Sequence, residues 1–413
     1  MIDFTLTPQM KMARDMLHAI MDKKVRPLCL QADQDAGYPD SLYKDLMPLA
    51  QGFSMGGGSS ASAKKEGTAA DPMAGGMKGM SLLAVVAGEE LGWGDPSMAL
   101  VMPGPGTGGP ALSARGTPEQ KEKYFAQLKG PQPHWAAYGL TEPGTGSDAA
   151  AIRTRCRKDG DHYVINGTKC FISNGARAEW TLVFATIDPA LGHAGHRVFI
   201  VEKGTPGFKV GKIEDKLGFR ATETAELVFE ECRVPVDNLL GGEAAYEQGA
   251  KAGFKTAMEF FDTSRPLVGI MAVGIARAAY EEVVQFARDN YLLSRPIPRY
   301  QAIKDRLADL QRKIDAARLL CWKAAWMADN GIRNTKEASM AKLYGPQVGM
   351  EVTSCAVQLM GAHGTLKGSL SEKLFRDVKV FDIFEGTHQI QQMVVARNLF
   401  ERVQLSTSGE VLN

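Results

Sequence analysis

The sequence predicts an α+β protein of several domains, with helices at both ends and a β-barrel or β-sandwich in the middle. The length of 413 residues exceeds what one ordinary core requires. Apolar residues recur at helical spacing in the first and last thirds, whereas the middle third holds short runs rich in β-branched and aromatic residues. We therefore predict three domains, at residues 1–134, 135–245 and 246–413.

The N-terminal domain begins with helical spacing of apolar residues from Thr7 to about Leu30, and Pro8 stands where a first helical turn tolerates proline. Between residues 52 and 79 the chain is rich in glycine and small polar residues, which predicts a flexible surface loop. Helical patterns return in MSLLAVVAGEELGW and in TPEQKEKYFAQL, where Thr117 is a predicted N-cap ahead of Pro118.

Five strand-like runs fill the middle domain and are separated by Gly, Asn-Gly and Pro turns: YVING, WTLVFATI, RVFIVEK, GFKVGKI and TAELVFEECRVP. Short strands at regular spacing indicate a barrel or sandwich rather than βαβ units. After Gly249 the helical period returns and continues to about Val403, which predicts a helical bundle.

Composition excludes several function classes. Hydrophobic residues make up 44% and charged residues 23%, which is typical of a globular protein with a large core. Lys plus Arg (48) nearly cancel Asp plus Glu (47), so the net charge of +1 predicts no binding to nucleic acid or to an anionic membrane. No signal peptide and no apolar run of about 20 residues is visible. The six scattered cysteines predict reduced thiols in a cytoplasmic protein.

Two short motifs have structural explanations that we favour over cofactor or metal binding. Gly104, Gly106 and Gly109 match GxGxxG, but prolines surround them and no βαβ pattern follows, so a tight loop is expected. His193 and His196 form an HxxH between two strand-like runs, where a solvated hairpin explains them without a metal.

Three longer segments carry a family resemblance: YGLTEPGTGSDAAAI (138–152), VINGTKCFISNGA (164–176) and FEGTHQIQQMVVAR (384–397). They are supported by KLGFRATETAELVFEECRVPVDNLLG (216–241), FDTSRP (261–266) and AVQLMGAHG (356–364). Together these segments closely resemble the acyl-CoA dehydrogenase family. The resemblance implies an N-terminal helical domain, a middle β-domain, a C-terminal four-helix bundle, and FAD between the last two. It also implies a homo-oligomer, a tetramer or a dimer.

The resemblance implies flavin contacts along the T-E-P-G-x-G-S segment. Leu140 and Thr141 are expected at the isoalloxazine ring, and Gly146 with Ser147 at the phosphates of the flavin or of CoA. Glycines permit close backbone approach, and short hydroxyl side chains hydrogen-bond to phosphate and ring heteroatoms. A polar β-turn is the structural alternative. The further expected cofactor-binding residues are Phe171, Ser173, Gln358, Thr387 and Gln389.

On the helix after the β-domain, Asp262 and Arg265 match family positions that contact the CoA nucleotide. A planar and permanently charged guanidinium suits phosphate recognition, and a surface ion pair is the alternative. The full set of expected substrate-binding residues is Ser147, Asp262, Arg265, Phe384, Gly386 and Arg397.

Removal of a weakly acidic α-proton needs a positioned carboxylate, a polarised carbonyl and a nearby hydride acceptor. In the family the residue before G-T-x-Q is the base, and Glu385 stands there. The resemblance implies that the backbone N–H of this residue and a flavin ribityl hydroxyl polarise the thioester, and that Phe384 helps to desolvate the carboxylate. Some branches place the base just before the helix arginine, where this chain has Ser264, which cannot accept the proton unaided.

The chain departs from the family pattern in two places. The Arg-x-Thr-Phe-Gly segment, which binds the FAD adenine and diphosphate of a neighbouring subunit, is replaced here; the matching residues are Asn290, Leu292, Leu293 and Ser294, with Arg295 or Arg299 as substitutes. Ala362 also replaces a common glycine close to Gln358.

The sequence therefore predicts FAD-dependent α,β-dehydrogenation of an acyl-CoA to the 2-enoyl-CoA, with electrons passed to an electron-transfer flavoprotein. Two alternatives stay open: an oxidase that hands electrons to oxygen, and a catalytically silent binding or assembly member. The acyl chain is not specified, because MPGPGTGGP (102–110) interrupts a helix that forms the pocket wall in relatives. A branched or cyclic acyl group is therefore among the alternatives.

Overall fold

A computed structural model describes residues 4–57, 79–247, 251–291 and 300–400, together with two short strands at 404–405 and 411–412. The described chain passes from helices to a curled β-sheet and back to helices. The predicted three-part architecture is therefore confirmed.

Within the described residues, the N-terminal part contains the α-helices α1 (Pro8–Ile20), α2 (Cys29–Asp35), α3 (Asp40–Gly57), α4 (Met80–Gly94), α5 (Met98–Val101), α6 (Gly108–Arg115) and α7 (Pro118–Ala126). Thr7 caps α1 and Thr117 caps α7, each accepting a backbone N–H three residues on, with proline in the first turn. Both predicted helix starts are confirmed.

The predicted flexible loop at 52–79 begins too early. Helix α3 continues to Gly57, so residues 52–57 are helical. Its first turns are anchored by the buried side chains of Leu42 and Leu46. Tertiary packing of those turns carries the helix into a segment whose local composition disfavours it. The remainder of the predicted loop, 58–78, lies outside the described residues.

One seven-stranded sheet forms the middle part, from the strands β1 (Ala136–Gly139), β2 (Arg155–Asp159), β3 (His162–Ser173), β4 (Trp180–Thr186), β5 (His196–Glu202), β6 (Phe208–Ile213) and β7 (Thr224–Pro235). The order is β1-β4-β2-β3-β7-β6, and β5 pairs with β4. Most pairs are antiparallel, but β1 and β4 are parallel, with Tyr138 opposite Leu182. All five predicted runs form strands, and none belongs to a βαβ unit.

A short helix α8 (Ala244–Glu247) precedes the C-terminal helices α9 (Lys251–Tyr291), α10 (Gln301–Asp329), α11 (Thr335–Met360), α12 (Ala362–Thr365), α13 (Leu370–Phe381) and α14 (His388–Phe400). The long helices α9, α10 and α11 pack together, and α13 and α14 pack against α11. The predicted helical bundle is confirmed, with α13 and α14 packed beside the three long helices. The two short strands β8 (Gln404–Leu405) and β9 (Val411–Leu412) pair after it.

Helices α4, α9 and α11 approach one another closely where a glycine of one helix faces the backbone of its neighbour. A Cβ on Gly269 of α9 would lie 2.7 Å from the carbonyl oxygen of Ala341 on α11, and a Cβ on Gly345 would collide with the carbonyl of Gly269. Gly92 of α4 and Gly274 of α9 face backbone in the same way. These glycine contacts bring the three helices into van der Waals contact at the backbone.

A buried polar cluster joins the three parts. Lys373 of α13 contacts Asp377 at 2.5 Å and Asp95, after α4, at 3.2 Å. The Asp377 carboxylate also accepts the backbone N–H of Phe219, which precedes β7 (2.6 Å), and the Tyr38 hydroxyl donates to Asp95 (2.5 Å). A charge cluster that is buried and hydrogen-bonded on all sides fixes the three parts in one arrangement.

Gly104 and Gly106 of the glycine motif lie in a loop, as predicted, and Gly104 donates its N–H to the carbonyl of His134 (2.7 Å). Gly109 lies instead in the first turn of α6, so the loop ends earlier than predicted. His193 and His196 lie in and after a short 3₁₀ segment between β4 and β5; both rings are half-buried rather than solvated. All six cysteines are buried and unpaired. Among the described residues no cluster of three potential metal ligands occurs.

None of the described helices has both the length and the apolar character needed to span a bilayer.

Candidate active site

Glu385 lies in the loop that joins α13 to α14, here called the Glu385 loop (residues 382–387). Its backbone φ is +57°, and that of Gly386 is +88°. A left-handed conformation costs a non-glycine residue free energy and occurs mostly where surrounding contacts enforce it. Thr387 follows, and its hydroxyl accepts the backbone N–H of Ile390 (3.3 Å) at the start of α14.

Two buried side chains hold the Glu385 loop from within the bundle. Lys342 Nζ on α11 donates to the carbonyl of Gly386 at 2.5 Å. Gln391 Nε2 on α14 donates to the same carbonyl at 3.0 Å and to that of Glu385 at 3.4 Å. Any side chain at position 386 would collide with Gln391, because its Cβ would lie 2.5 Å from Nε2.

The carboxylate of Glu385 is half-buried and faces α9. The Ser264 hydroxyl donates to Oε2 at 3.1 Å. Burial raises the pKa of Glu385, and the Ser264 hydrogen bond and the positive charges of Lys342 and Arg265 partly offset that rise. The result is a carboxylate of increased basicity, which suits proton abstraction from carbon.

The end of strand β1 approaches the same carboxylate from the β-domain. Burial raises the pKa of the Tyr138 hydroxyl, and the negative charge of Glu385 raises it further. Although about 250 residues of sequence separate them, Glu385 therefore lies close enough to the end of β1 to act on Tyr138 electrostatically.

Residues 140–147, here called the 140–147 loop, follow β1 and are anchored by a buried ion pair. The Glu142 carboxylate accepts from Lys169 Nζ on β3 (2.7 Å) and from the backbone N–H groups of Arg153 (2.6 Å) and Thr154 (2.9 Å). Lys169 Nζ also donates to the carbonyl of Leu140 at 3.1 Å. The positive charge of Lys169 and these hydrogen bonds outweigh desolvation by burial and lower the pKa of Glu142.

Phe171 stands beside this loop in an unusual conformation. The N–H of the preceding residue, Cys170, donates to the carbonyl of Thr141 (3.0 Å) and ties β3 to the loop. Phe171 lies in an irregularity of the β3–β7 pairing, has a φ of +58°, and leaves 63% of its surface exposed. Ser173, two residues on, pairs with Thr224.

These features fit a flavin. A Cβ placed on Gly144 or Gly146 would meet nothing within 4 Å, so the loop backbone is open to a ligand on that side. The exposed ring of Phe171 offers an apolar surface next to Thr141. Ser147 is exposed and Leu140 half-buried along the same loop.

The structure groups some predicted site residues and separates others. Phe384, Gly386 and Thr387 share the Glu385 loop, and Phe384 packs on Phe381 with ring centroids 5.1 Å apart. Gln358, Gln389 and Arg397 are exposed, and the described contacts do not connect them to Glu385.

Arg265 is only 6% exposed, with its guanidinium 3.4 Å from the Ser339 hydroxyl, so it lies inside the bundle and acts electrostatically on Glu385. Its expected contact with the CoA nucleotide stays a prediction. The Asp262 side chain lies outside the described residues, as do Leu292, Leu293, Ser294, Arg295 and Arg299. Asn290 ends α9 and donates to the carbonyl of Phe286 (2.8 Å).

Sequence reasoning missed Lys342, Gln391, Lys169 and Tyr138. A lysine in a helix or strand is usually solvated, which hides buried ones. One signal was available for Lys342: it stands among small residues in ASMAKLYGPQ, which indicates close helix packing around it.

The curled sheet between helical parts, the open glycine loop and the desolvated carboxylate define a flavin-dependent oxidoreductase. Three family models match in sequence order: the N-terminal domain of acyl-CoA dehydrogenase at residues 64–129, the middle domain at 137–232 and the C-terminal domain at 251–400. The chain belongs to the acyl-CoA dehydrogenase family. FAD is the cofactor, and the enzyme is an oxidoreductase that acts on a CH–CH group.

Relatives match along nearly the whole chain. The short-chain specific acyl-CoA dehydrogenase of Clostridium acetobutylicum is 36% identical over 97% of this chain and 100% of its own. Acryloyl-CoA reductase (NADH) of Anaerotignum propionicum is 37% identical, with 97% of each chain covered. Cyclohexane-1-carbonyl-CoA dehydrogenase of Geobacter metallireducens is 43% identical over 64% of this chain and 68% of its own.

Solved structures support the same family assignment. Butyryl-CoA dehydrogenase from Megasphaera elsdenii superposes with a TM-score of 0.82 at 35% identity, covering 97% of this chain and 100% of that chain. A chain in a structure described as the electron transferring flavoprotein of Acidaminococcus fermentans gives a TM-score of 0.81 at 35% identity, with 96% and 99% covered.

Proposed function

We propose that the chain catalyses α,β-dehydrogenation of an acyl-CoA thioester to the 2-enoyl-CoA, with Glu385 as the base, and that an electron-transfer flavoprotein takes the electrons. The observation that carries this proposal is the carboxylate of Glu385, which accepts the Ser264 hydroxyl at 3.1 Å, is desolvated by burial, and lies near Tyr138 of the β-domain. The relative solved with an electron transferring flavoprotein supports the choice of partner.

Glu385 takes the α-proton on its carboxylate, and Ser264 donates to Oε2 of that carboxylate. The Ser264 hydroxyl keeps the carboxylate oriented as it is protonated. When bound, FAD supplies the acceptor for the hydride that leaves the β-carbon. The backbone of the 140–147 loop, the ring of Phe171 and the Ser173 hydroxyl would hold the flavin, with Gly146 and Ser147 at phosphate groups. Phe384 and the bundle exclude water from the base.

The names of the relatives suggest which acyl-CoAs to test first. Short-chain and butyryl thioesters come first, followed by the cyclic cyclohexane-1-carbonyl thioester. We also propose a homo-oligomer, supported by the exposed apolar side chains of Met393, Leu399 and Phe400 on α14. A cytoplasmic location stays a prediction.

The test is flavin reduction by these thioesters without oxygen, comparing the wild-type protein with Glu385→Gln. The amide keeps the size of the side chain but cannot accept the proton, so reduction should slow by about 10² to 10⁴-fold or more while FAD stays bound. The matched control is Glu230→Gln, which removes an exposed carboxylate paired with Lys209 (3.0 Å) and should leave the rate unchanged.

Three outcomes would contradict parts of the proposal. Reduction of flavin-loaded Glu385→Gln at the wild-type rate would remove Glu385 as the base. Purification without flavin and without FAD uptake would favour the silent alternative. Rapid oxygen consumption with substrate would favour the oxidase.

A further inference from the structure

Two buried donors converge on one backbone carbonyl next to the base. Lys342 Nζ lies 2.5 Å and Gln391 Nε2 3.0 Å from the carbonyl oxygen of Gly386. Lys342 is 1% exposed and Gln391 is fully buried. The mechanism described above assigns no role to either side chain.

The Glu385 loop needs such support. Two consecutive residues with positive φ, one of them a glutamate, form a backbone that contacts outside the loop must stabilise. The two donors approach from different helices, α11 and α14, and meet at the peptide that follows Gly386. They therefore fix the loop relative to both helices.

The glycine contacts between α9 and α11 explain why Lys342 reaches this position. Gly269 and Gly345 bring the two helix backbones together at Ala341, the residue before Lys342. The lysine side chain then runs inside the bundle and ends at the Glu385 loop. At a wider helix spacing it would reach water.

We propose that Lys342 and Gln391 are positioning residues that clamp the Gly386 carbonyl and hold the Glu385 carboxylate in its reactive orientation, while the Lys342 ammonium also adds positive charge beside the base. This inference rests on the proposed function, because it takes Glu385 as the base. The clamp separates two effects: Gln391 contributes hydrogen bonds alone, and Lys342 contributes a hydrogen bond and a charge.

The charges around Lys342 and Glu385 support a separate electrostatic effect of Lys342. Burial lowers the pKa of Lys342 to about 8, against the raising effects of Asp382 and Glu385, and Arg265 lowers it further. Lys342 is therefore charged at pH 7. Among the described residues, the other ionisable groups that act on Glu385 or respond to it are Arg265 on α9 and Tyr138 on β1, the latter neutral at this pH because its pKa is raised.

The experiment measures anaerobic flavin reduction by butyryl-CoA from pH 5.5 to 9 in Lys342→Met and Gln391→Met. Without the ammonium the pKa of Glu385 rises, so Lys342→Met should move the acid limb of the rate profile to higher pH by about one unit or more, and also lower the plateau. Gln391→Met should lower the plateau about tenfold and leave the limb in place. The matched control, Lys336→Met in the first turn of α11, should change neither.

A second measurement does not depend on turnover. Infrared titration of the holoenzyme follows the carboxylic acid band that Glu385→Gln removes, and this band should persist to higher pH in Lys342→Met. Thermal melting checks that each variant is folded; if Lys342→Met is not, Lys342→Gln keeps a donor without the charge and should still shift the limb.

The results separate this inference from the proposed function. Suppose that a folded Lys342 variant shifts neither the acid limb of the rate profile nor the infrared band, while Glu385→Gln is inactive. This result would overturn only the proposed effect of the Lys342 charge on Glu385. An unchanged plateau in Gln391→Met would overturn the clamp. Normal reduction by Glu385→Gln would instead remove the proposed function on which both rest.

Discussion

The 140–147 loop and the Glu385 loop are each anchored by a buried lysine, but the lysines have different partners. Lys169 holds the 140–147 loop through a direct ion pair with Glu142 at 2.7 Å. Lys342 holds the Glu385 loop through a neutral carbonyl. Burial lowers the pKa of both ammonium groups to about 8.

This difference separates two uses of a buried charge. Where an ionised partner neutralises the lysine, the pair fixes the backbone and its field cancels at short range. Where the partner is a carbonyl, the field extends to nearby groups, and the carboxylate of Glu385 is one of them. The 140–147 loop is therefore anchored by a direct charge pair, whereas the Glu385 loop is anchored by a lysine whose charge also acts on Glu385.

The largest expected effect is on stability. Lys169→Met removes one member of a buried pair and leaves Glu142 charged in the interior, which should cost about 3–5 kcal/mol in the free energy of unfolding. Lys342→Met should cost only about 1–2 kcal/mol, because Gln391 still satisfies the carbonyl. Urea unfolding of both variants measures the difference between their losses in the free energy of unfolding. Equal losses would show that the two anchors do not differ as described.

Acidic pH should weaken the anchoring of the 140–147 loop, because that anchoring depends on an ionised Glu142. The folded-state pKa of Glu142 is lowered, so its contribution is present above its ordinary value of 4.5 and is lost as pH falls through the lowered value. Glu142→Gln should therefore reduce stability at pH 7, and its deficit relative to wild type should shrink below about pH 4. Unfolding midpoints measured from pH 3 to 7 test this, and a deficit independent of pH would argue against the ion pair.

A smaller effect is expected on the base itself. Ser264→Ala removes the donor to Glu385 Oε2, so the pKa of Glu385 should rise and the acid limb of the reduction rate should move up by about one pH unit. Among the effects that lower this pKa, the hydrogen bond from Ser264 is the largest and the charge of Lys342 follows it, so the shift should be comparable with that in Lys342→Met. A much smaller shift in Ser264→Ala would reverse this order of hydrogen bond and charge.

The smallest effect on the fold is expected at the open glycines. Gly144→Ala adds a methyl group where nothing lies within 4 Å, so stability of the flavin-free protein should change by no more than about 0.5 kcal/mol. If the flavin uses this open backbone, the same change should weaken FAD binding several-fold in a fluorescence titration. Unchanged FAD affinity would show that the cofactor does not approach this part of the loop.

Much of the fold could be predicted from local signals. The Thr117–Pro118 start of α7 and the strand-like runs of the middle domain depend on short-range chemistry, and both are confirmed. The start of the predicted loop at residue 52 was wrong because α3 is stabilised by distant packing of its earlier turns, which composition does not reveal.

The residues of the candidate site also divide into those that a local motif indicates and those that depend on distant contacts. A motif identified Glu385, and its chemistry could be argued from residue type. The anchors were missed, although the small residues around Lys342 were a signal for one of them, because Lys169 and Lys342 become buried only through contacts with strands and helices remote in sequence. Arg265 resembled a surface phosphate ligand for the same reason, yet it lies within the bundle.

The glycine contacts between helices have a consequence for evolution. Gly92, Gly269, Gly274 and Gly345 each face neighbouring backbone with no room for a methyl group. In a library of random substitutions these four positions should tolerate change as poorly as Glu385, although none of them takes part in chemistry. A survey of descendants would find them invariant and invite a catalytic explanation, whereas selection would act on helix spacing: between α4 and α9 at Gly92 and Gly274, and between α9 and α11 at Gly269 and Gly345, where the spacing brings Lys342 to the Glu385 loop.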